Sequence, residues 1–318
     1  MSRTRIFFAT DIHGSDRCFG KFLSAAKVYK ANVLILGGDI TGKMIVPILK
    51  EADGSYRVYF LGKEQKLLNE KELRTVMGII KAVGYYPHIT DEAGLEEMVG
   101  DPHKVRAMFQ QMMTESVGNW IRQAQERLKG SGVKCFISAG NDDEWYIDSV
   151  LNLSEYVEYP EGKVVKLDDV HEMASCGYTN MTPWKCPRDI PESELGAKIE
   201  GILARVEDKS NCILNFHCPP YGTVIDMAPK LTENLEPVLQ PGGGMELASV
   251  GSTSIREAIE KYQPLLGLHG HIHEAKGVAK IGRTVCINPG SEYTEGILKG
   301  FLADLDEKGI KDYIFTSG

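Results

Sequence analysis

The apolar run Pro264-Leu265-Leu266-Gly267-Leu268 leads directly into His269-Gly270-His271-Ile272-His273, so three of the chain's eight histidines fall within five residues. A short apolar run closed by turn residues reads as a buried strand. This one ends by handing two imidazoles, His271 and His273, to its C-terminal edge. In open α/β sheets that edge is where ligands bind. A fold that uses the imidazoles must bring further polar groups to the same edge.

The same pattern recurs upstream. Residues 5–10 are β-branched and aromatic and end at Asp11-Ile12-His13-Gly14. Asp11 and His13 are two apart, so on extended backbone they share a side. Ser15 or Asp16 can cap a helix to about residue 29, and residues 32–36 form a second strand ending at Gly37-Gly38-Asp39. Strand, helix, strand predicts parallel strands with a right-handed crossover. Residues 133–137 end at Gly140-Asn141-Asp142-Asp143-Glu144, and residues 212–216 end at His217-Cys218-Pro219-Pro220. Helices are predicted over 192–206 and 252–262, and strand hairpins over 277–315. Residues 177–187 suit a pocket loop or a plain surface loop.

Residues 43–130 break the alternation. Strands at 43–50 and 55–61 join through Ala52-Asp53-Gly54, a hairpin signal. Helices follow at about 69–83 and 102–129, the second with the stripe Val105, Met108, Met112, Val117, Trp120, Ile121, weakened by Gly118. The chain thus divides into a main domain, 1–42 with 131–318, and an α-rich insertion, 43–130, that can serve as lid, homodimer arm or partner site.

Composition narrows the partners. The net charge is -8, which argues against a nucleic-acid partner held by a broad basic surface. Seven scattered cysteines form no C-x-x-C pair and read as reduced thiols of a cytoplasmic protein. The start, Met1-Ser2-Arg3-Thr4-Arg5, passes into a strand and not into a leader's apolar region, and no run approaches the roughly 18 apolar residues of a membrane span.

The strand-end set is Asp11, His13, Asp39, Asn141, His217, His271 and His273. Singly, such residues are ordinary caps or satisfied histidines. Together they make a mixed nitrogen and oxygen shell too large for one catalytic ion with an open position. They suit two divalent ions sharing a carboxylate, with manganese, iron, zinc or cobalt favoured over calcium or magnesium. Two carboxylates against two dications leave a positive site that wants an anion such as phosphate. Two metals about 4 Å apart can activate a water and stabilise an in-line displacement.

Asp11-x-His13, Gly38-Asp39-x-x-Gly42, Gly140-Asn141, His217 and Gly270-His271-x-His273, in this order, resemble the five blocks of the calcineurin-like metallophosphoesterase superfamily. Asn288-Pro289-Gly290-Ser291 resembles the segment that follows the last block in its small bacterial and archaeal members. The resemblance implies a four-layer α/β/β/α sandwich and the hydrolysis of a small phosphomonoester or phosphodiester by a metal-bridging hydroxide. It implies one metal on Asp11, His13, Asp39 and His273, and another on Asp39, Asn141, His217 and His271, with Asp39 bridging. His269 lies outside the pattern and reads as a supporting residue, either behind the ligands or purely structural.

Two departures stand out. Many members place a histidine after the block-three asparagine, where it helps protonate the leaving group. Here that position is Asp142, a poor general acid at neutral pH beside dications. Asp142 and His217 are the catalytic candidates; Asp142 either hydrogen-bonds a substrate hydroxyl or a water, or faces solvent as a turn residue, or the substrate has a leaving group that needs little protonation. The second block, Gly38-Asp39-Ile40-Thr41-Gly42, lacks the Asp-Arg-Gly continuation of the Ser/Thr protein phosphatases. A non-catalytic scaffold of the same fold and a nuclease are the alternative readings.

Overall fold

The computed structural model describes residues 4–318; Met1 to Arg3, on which part of the leader argument rests, lie outside the described residues. The chain is mixed α/β. Thr4–Ala9 is buried on both faces, with Ile6 and Phe8 on one side and Phe7 and Ala9 on the other. It pairs parallel to Val33–Leu36 and antiparallel to Lys299–Asp306. Between the first two parallel strands runs the helix Asp16–Val28, its N-terminus capped by Ser15, which accepts from the Cys18 amide at 3.2 Å. The full first sheet orders as Gly309–Ser317, Lys299–Asp306, Thr4–Ala9, Val33–Leu36, Lys134–Ile137, Val157–Glu158.

The second six-stranded sheet orders as Gly277–Ile281, Thr284–Asn288, Leu266–Leu268, Ile213–Phe216, Glu172–Cys176, Val164–Lys166. Its four inner strands are parallel. Three apolar clusters follow from the period-two alternation of these strands. One joins Ile6, Phe8, Val33, Ile35 and Phe136 of the first sheet to Met173, Ile213, Leu266, Leu268 and Ile287 of the second. A second sets Phe7, Leu34 and Leu36 against Phe19 and Phe22 of the first helix. The third packs Ala174, Leu214, Phe216 and Cys286 against the helices Glu192–Leu203 and Thr253–Tyr262.

Residues 43–130 are richer in strand than expected. The predicted hairpin, Ile45–Lys50 with Tyr56–Phe60, is the centre of a four-stranded sheet whose edges are Lys63–Leu67 and Tyr86–Thr90. Both edges escape a pattern reading. Lys63–Leu67 buries one side chain, Leu67, and Tyr86–Thr90 carries Pro87. A short helix, Glu92–Gly100, is also additional. The sheet has its own core, Val46, Ile48, Val58, Phe60, Leu73, Val76 and Ile80, closed by the helix Glu70–Ala82.

The long helix Pro102–Leu128 is capped by Asp101 and opens on Pro102. The expected stripe holds only in its second half. Met113, Val117, Trp120, Ile121, Ala124 and Leu128 are buried, whereas Val105, Met108 and Met112 are partly exposed. Trp120 stacks on Phe19 at 4.4 Å between centroids and donates its indole N–H to Asp16 at 2.6 Å. That half of the helix belongs to the cluster on the first sheet. All seven cysteines are free, and among the described residues no helix is long and apolar enough to cross a membrane.

Candidate metal centre

The parallel strands of each sheet end on one edge, and the two edges meet. Asp11 follows the first strand and Asp39 the second, and their loops are zipped by amides: Asp11 to the Gly38 carbonyl at 3.0 Å, His13 to Asp39 at 3.0 Å, Gly14 to Ile40 at 2.8 Å. From the other sheet, the Gly270 amide donates to the His217 carbonyl at 2.9 Å and the His271 amide reaches both Asp11 carboxylate oxygens at 3.1 Å. Asn288 holds this turn through the Gly270 and Ile272 carbonyls, and Ser291 donates to the Asp11 carbonyl at 2.6 Å.

These loops are strained where the side chains matter. Among the described residues nine non-glycine positions have positive φ, including Asp11 at 53°, His13 at 38°, Asp39 at 48° and His271 at 67°. Such backbone costs of the order of 1–3 kcal/mol per residue and gathers at functional sites. The approach is close as well. A Cβ on Gly140 would strike Asp39 and stand 2.8 Å from His217 Nε2, and one on Gly38 would stand 2.7 Å from His217 Nδ1.

Two groups of potential ligands result, Asp11 with His13 and His273, and Asp39 with His217 and His271; within each the ligand atoms lie within 4.8 Å of one another. A third group links His13, Asp39 and Asp142. His217 Nε2 lies 3.4 Å from an Asp39 oxygen and 3.8 Å from an Asp11 oxygen, and His273 Nε2 lies 3.5 Å from Asp11. Asn141 donates through its amide nitrogen to Asp189 at 2.9 Å, and its amide oxygen is buried without a partner.

The residues fit divalent ions on chemical grounds. His217 Nε2 is also buried and unpaired, which is costly unless another ligand satisfies it. His217 donates Nδ1–H to the Gly37 carbonyl at 3.1 Å, the support a metal-binding imidazole usually has, and this leaves Nε2 for an ion. Burial holds His13 at about 3 and His271 at about 4, so both stay neutral with lone pairs available. Burial alone would raise Asp11, but His217 and His273 outweigh it and bring it to about 2. Asp39 is likewise driven well below the carboxylate range, burial being overcome by His217 and His13. His217 goes the other way: burial opposes its charge, yet Asp39 and Asp11 lift it to about 9.

His269 is a supporting residue. Its Nδ1 donates to the Phe216 carbonyl at 2.7 Å and the Cys218 carbonyl at 2.9 Å, holding the His217 turn. Asp142 is at the rim, one oxygen 4.0 Å from His13 Nδ1, while its amide donates to Asp39 at 3.0 Å.

Four contributors escape the sequence reading. Lys43 Nζ sits 2.7 Å from Asp142. Tyr293 packs on His13 at 4.8 Å and on His273 at 6.0 Å between centroids. Asp143 is fully buried and accepts from the Ile40, Thr41 and Gly140 amides, tying the Asp39 loop to the Asn141 loop; burial and Asp39 raise it to about 6. Asp189 orients Asn141. Lys43 and Tyr293 lie one and two residues beyond Gly42 and Ser291, which is a usable signal. Asp143, two residues beyond Asn141, has the same proximity signal, and Asp189 carries none.

The root of the insertion abuts the site. A Cβ on Gly14 would stand 2.7 Å from the Gly42 backbone, one on Gly42 would strike the Gly84 carbonyl, and one on Gly84 would strike the His13 carbonyl. Gly14 and Gly84 also have positive φ, at 78° and 88°.

No family model matches the chain. The uncharacterized protein MJ1162 of Methanocaldococcus jannaschii is 31% identical over 129 residues, 40% of this chain and 51% of that protein, so the match spans about half the length of that relative. One crystal structure matches with a TM-score of 0.60 at 15% identity and 99% coverage of both chains. The crystal structure of TT1561 of Thermus thermophilus matches with a TM-score of 0.55 at 13% identity, also over 99% of both. At these identities the likeness is one of fold.

Proposed function

We propose that the chain is a metal-dependent phosphoesterase of the calcineurin-like metallophosphoesterase type, hydrolysing a small phosphomonoester or phosphodiester at a dinuclear centre. The observation that carries this reading is the convergence of Asp11, His13 and His273 beside Asp39, His217 and His271, with four of these six on strained backbone. Asn141 is the proposed seventh ligand and Asp39 the bridging one. Two divalent ions (manganese, iron, zinc or cobalt) supply an activated water and positive charge for the developing oxyanions when bound. The protein's own part is to fix the ligands by hydrogen bonds, keep His13 and His271 neutral, and exclude competing contacts.

The three successive apolar clusters support the helix–sheet–sheet–helix sandwich that belongs to this reading. In it, 1–42 with 131–318 form the catalytic domain and 43–130 an insertion whose last helical half is shared with the main core. The insertion remains the candidate homodimer surface, and the free thiols support a cytoplasmic setting. The test is metal analysis followed by turnover of p-nitrophenyl phosphate and bis-p-nitrophenyl phosphate. Bound metal with turnover abolished in Asp39→Asn and His217→Ala is expected. A chain that takes up no metal and turns over neither ester would instead be a scaffold, and salt-sensitive cleavage of DNA would point to a nuclease.

A further inference from the structure

We infer that Lys43 is the cation that grips the substrate phosphate, parked at the mouth of the centre by Asp142, and that it tilts the site toward dianionic monoesters. This rests on the phosphoesterase reading above. Asp142 joins Lys43 to the centre: one carboxylate oxygen lies 2.7 Å from Lys43 Nζ and 4.0 Å from His13 Nδ1, and the Asp142 amide holds Asp39 at 3.0 Å. The ammonium therefore stands one side chain away from the ligand cluster. It has three donors, and Asp142 engages it at one oxygen, so donors are left for an incoming anion.

Placement and access agree with this role. Lys43 follows Gly42, whose amide donates to the Tyr86 hydroxyl at 2.8 Å and whose backbone is wedged against Gly84. The stem therefore starts from a fixed point, while the side chain is 46% exposed, open to an incoming anion. A half-exposed Lys–Asp pair is worth little to stability, so the fold does not account for a cation at this spot. Lysine binds phosphate as a point charge. Asp142 and Lys43 cancel each other until substrate arrives. A phosphomonoester dianion, with three free oxygens, competes for the ammonium better than a diester, which has one charge and two free oxygens. Asp142 is then a positioning residue for the Lys43 ammonium.

The test compares the metal-loaded chain with Lys43→Met and Lys43→Arg. Metal content by elemental analysis and the melting temperature should be unchanged. Inorganic phosphate, titrated by calorimetry and as a competitive inhibitor, should bind Lys43→Met on the order of ten- to a hundredfold more weakly, the loss of one charge-assisted hydrogen bond. KM for p-nitrophenyl phosphate should rise more than KM for the bis ester, and Lys43→Arg should restore most of the phosphate affinity. Normal metal content and turnover with phosphate affinity unmoved in Lys43→Met would overturn this inference alone. No metal and no turnover in the unaltered chain would overturn the parent reading, and this one with it.

Discussion

Nε2 of His13 lies 3.1 Å from Nε2 of His273, 260 residues along the chain. Two nitrogens bound at about 2.1 Å to one ion sit roughly 3–3.4 Å apart. The pair is thus spaced as ligands of a common cation, with Asp11 beside it. Without a cation, one of the two must give up its lone pair to a proton. Adding manganese, zinc or cobalt to chelator-treated protein should therefore raise the melting temperature. At a hundredfold excess over Kd the gain is about 2.7 kcal/mol, of the order of 5 °C. Equal melting curves with and without the ions would remove the centre.

Metal binding should depend on pH through His217. Its folded value, about 9, lies above the ordinary 6.5. The charged imidazole therefore stabilises the metal-free fold fully below pH 6.5, and this contribution is lost as pH rises through 9. An ion on Nε2 must displace that proton. The stability gap between loaded and metal-free protein should widen from pH 6.5 to 9. Calorimetry in buffers of different ionisation enthalpy should show proton release at about pH 7.5, roughly one proton from this group. Binding with no proton release would show that His217 is not a ligand.

Gly140→Ala places a methyl against Asp39 and His217. Relief requires a loop shift, costing roughly 1–3 kcal/mol. Because the shift falls on the proposed bridging carboxylate, metal stoichiometry should drop below that of the native chain while the far-ultraviolet circular dichroism is retained. Gly54→Ala offers the control, since its positive φ of 82° brings backbone strain but the position has open space around it. Full metal loading in Gly140→Ala would show that Asp39 can move without cost to the centre.

Asp142→His introduces the histidine that many calcineurin-like metallophosphoesterases, the proposed type, carry after the asparagine. If proton delivery limits the native chain, the change should help alkyl phosphate esters more than aryl ones, whose leaving groups depart unaided. Rates for both ester classes that move by the same factor would argue that position 142 acts on binding instead. Loss of the Lys43 contact is a separate effect and is read from phosphate affinity.

The proposed ligands are legible in the sequence because each sits where an apolar run stops. Asp11, Asp39, Asn141, His217 and His271 follow buried strands, and burial on both faces writes a parallel strand as an unbroken apolar string. What joins those ends is a tertiary matter. Asp143 lies two residues beyond Asn141, yet its work is to accept amides from Ile40 and Thr41, 103 and 102 residues away. Asp189 meets Asn141 from a loop without periodicity. Lys63–Leu67 is illegible because an exposed edge strand of Lys, Glu and Gln pairs through its backbone and leaves no apolar alternation to read.

The contact of Gly14, Gly42 and Gly84 makes the small sheet part of the scaffold that shapes the His13 turn, whatever its tip does. Natural variation and engineering should therefore meet opposite rules at its two ends. The turns at Gly54 and Gly62 face open space and can accept inserted loops, tags or fused modules. The root cannot be trimmed: excising residues 45–90 would unroof His13 and remove the Tyr86 hydroxyl that steadies Gly42. A minimal version of this chain must keep the hairpin that looks most dispensable.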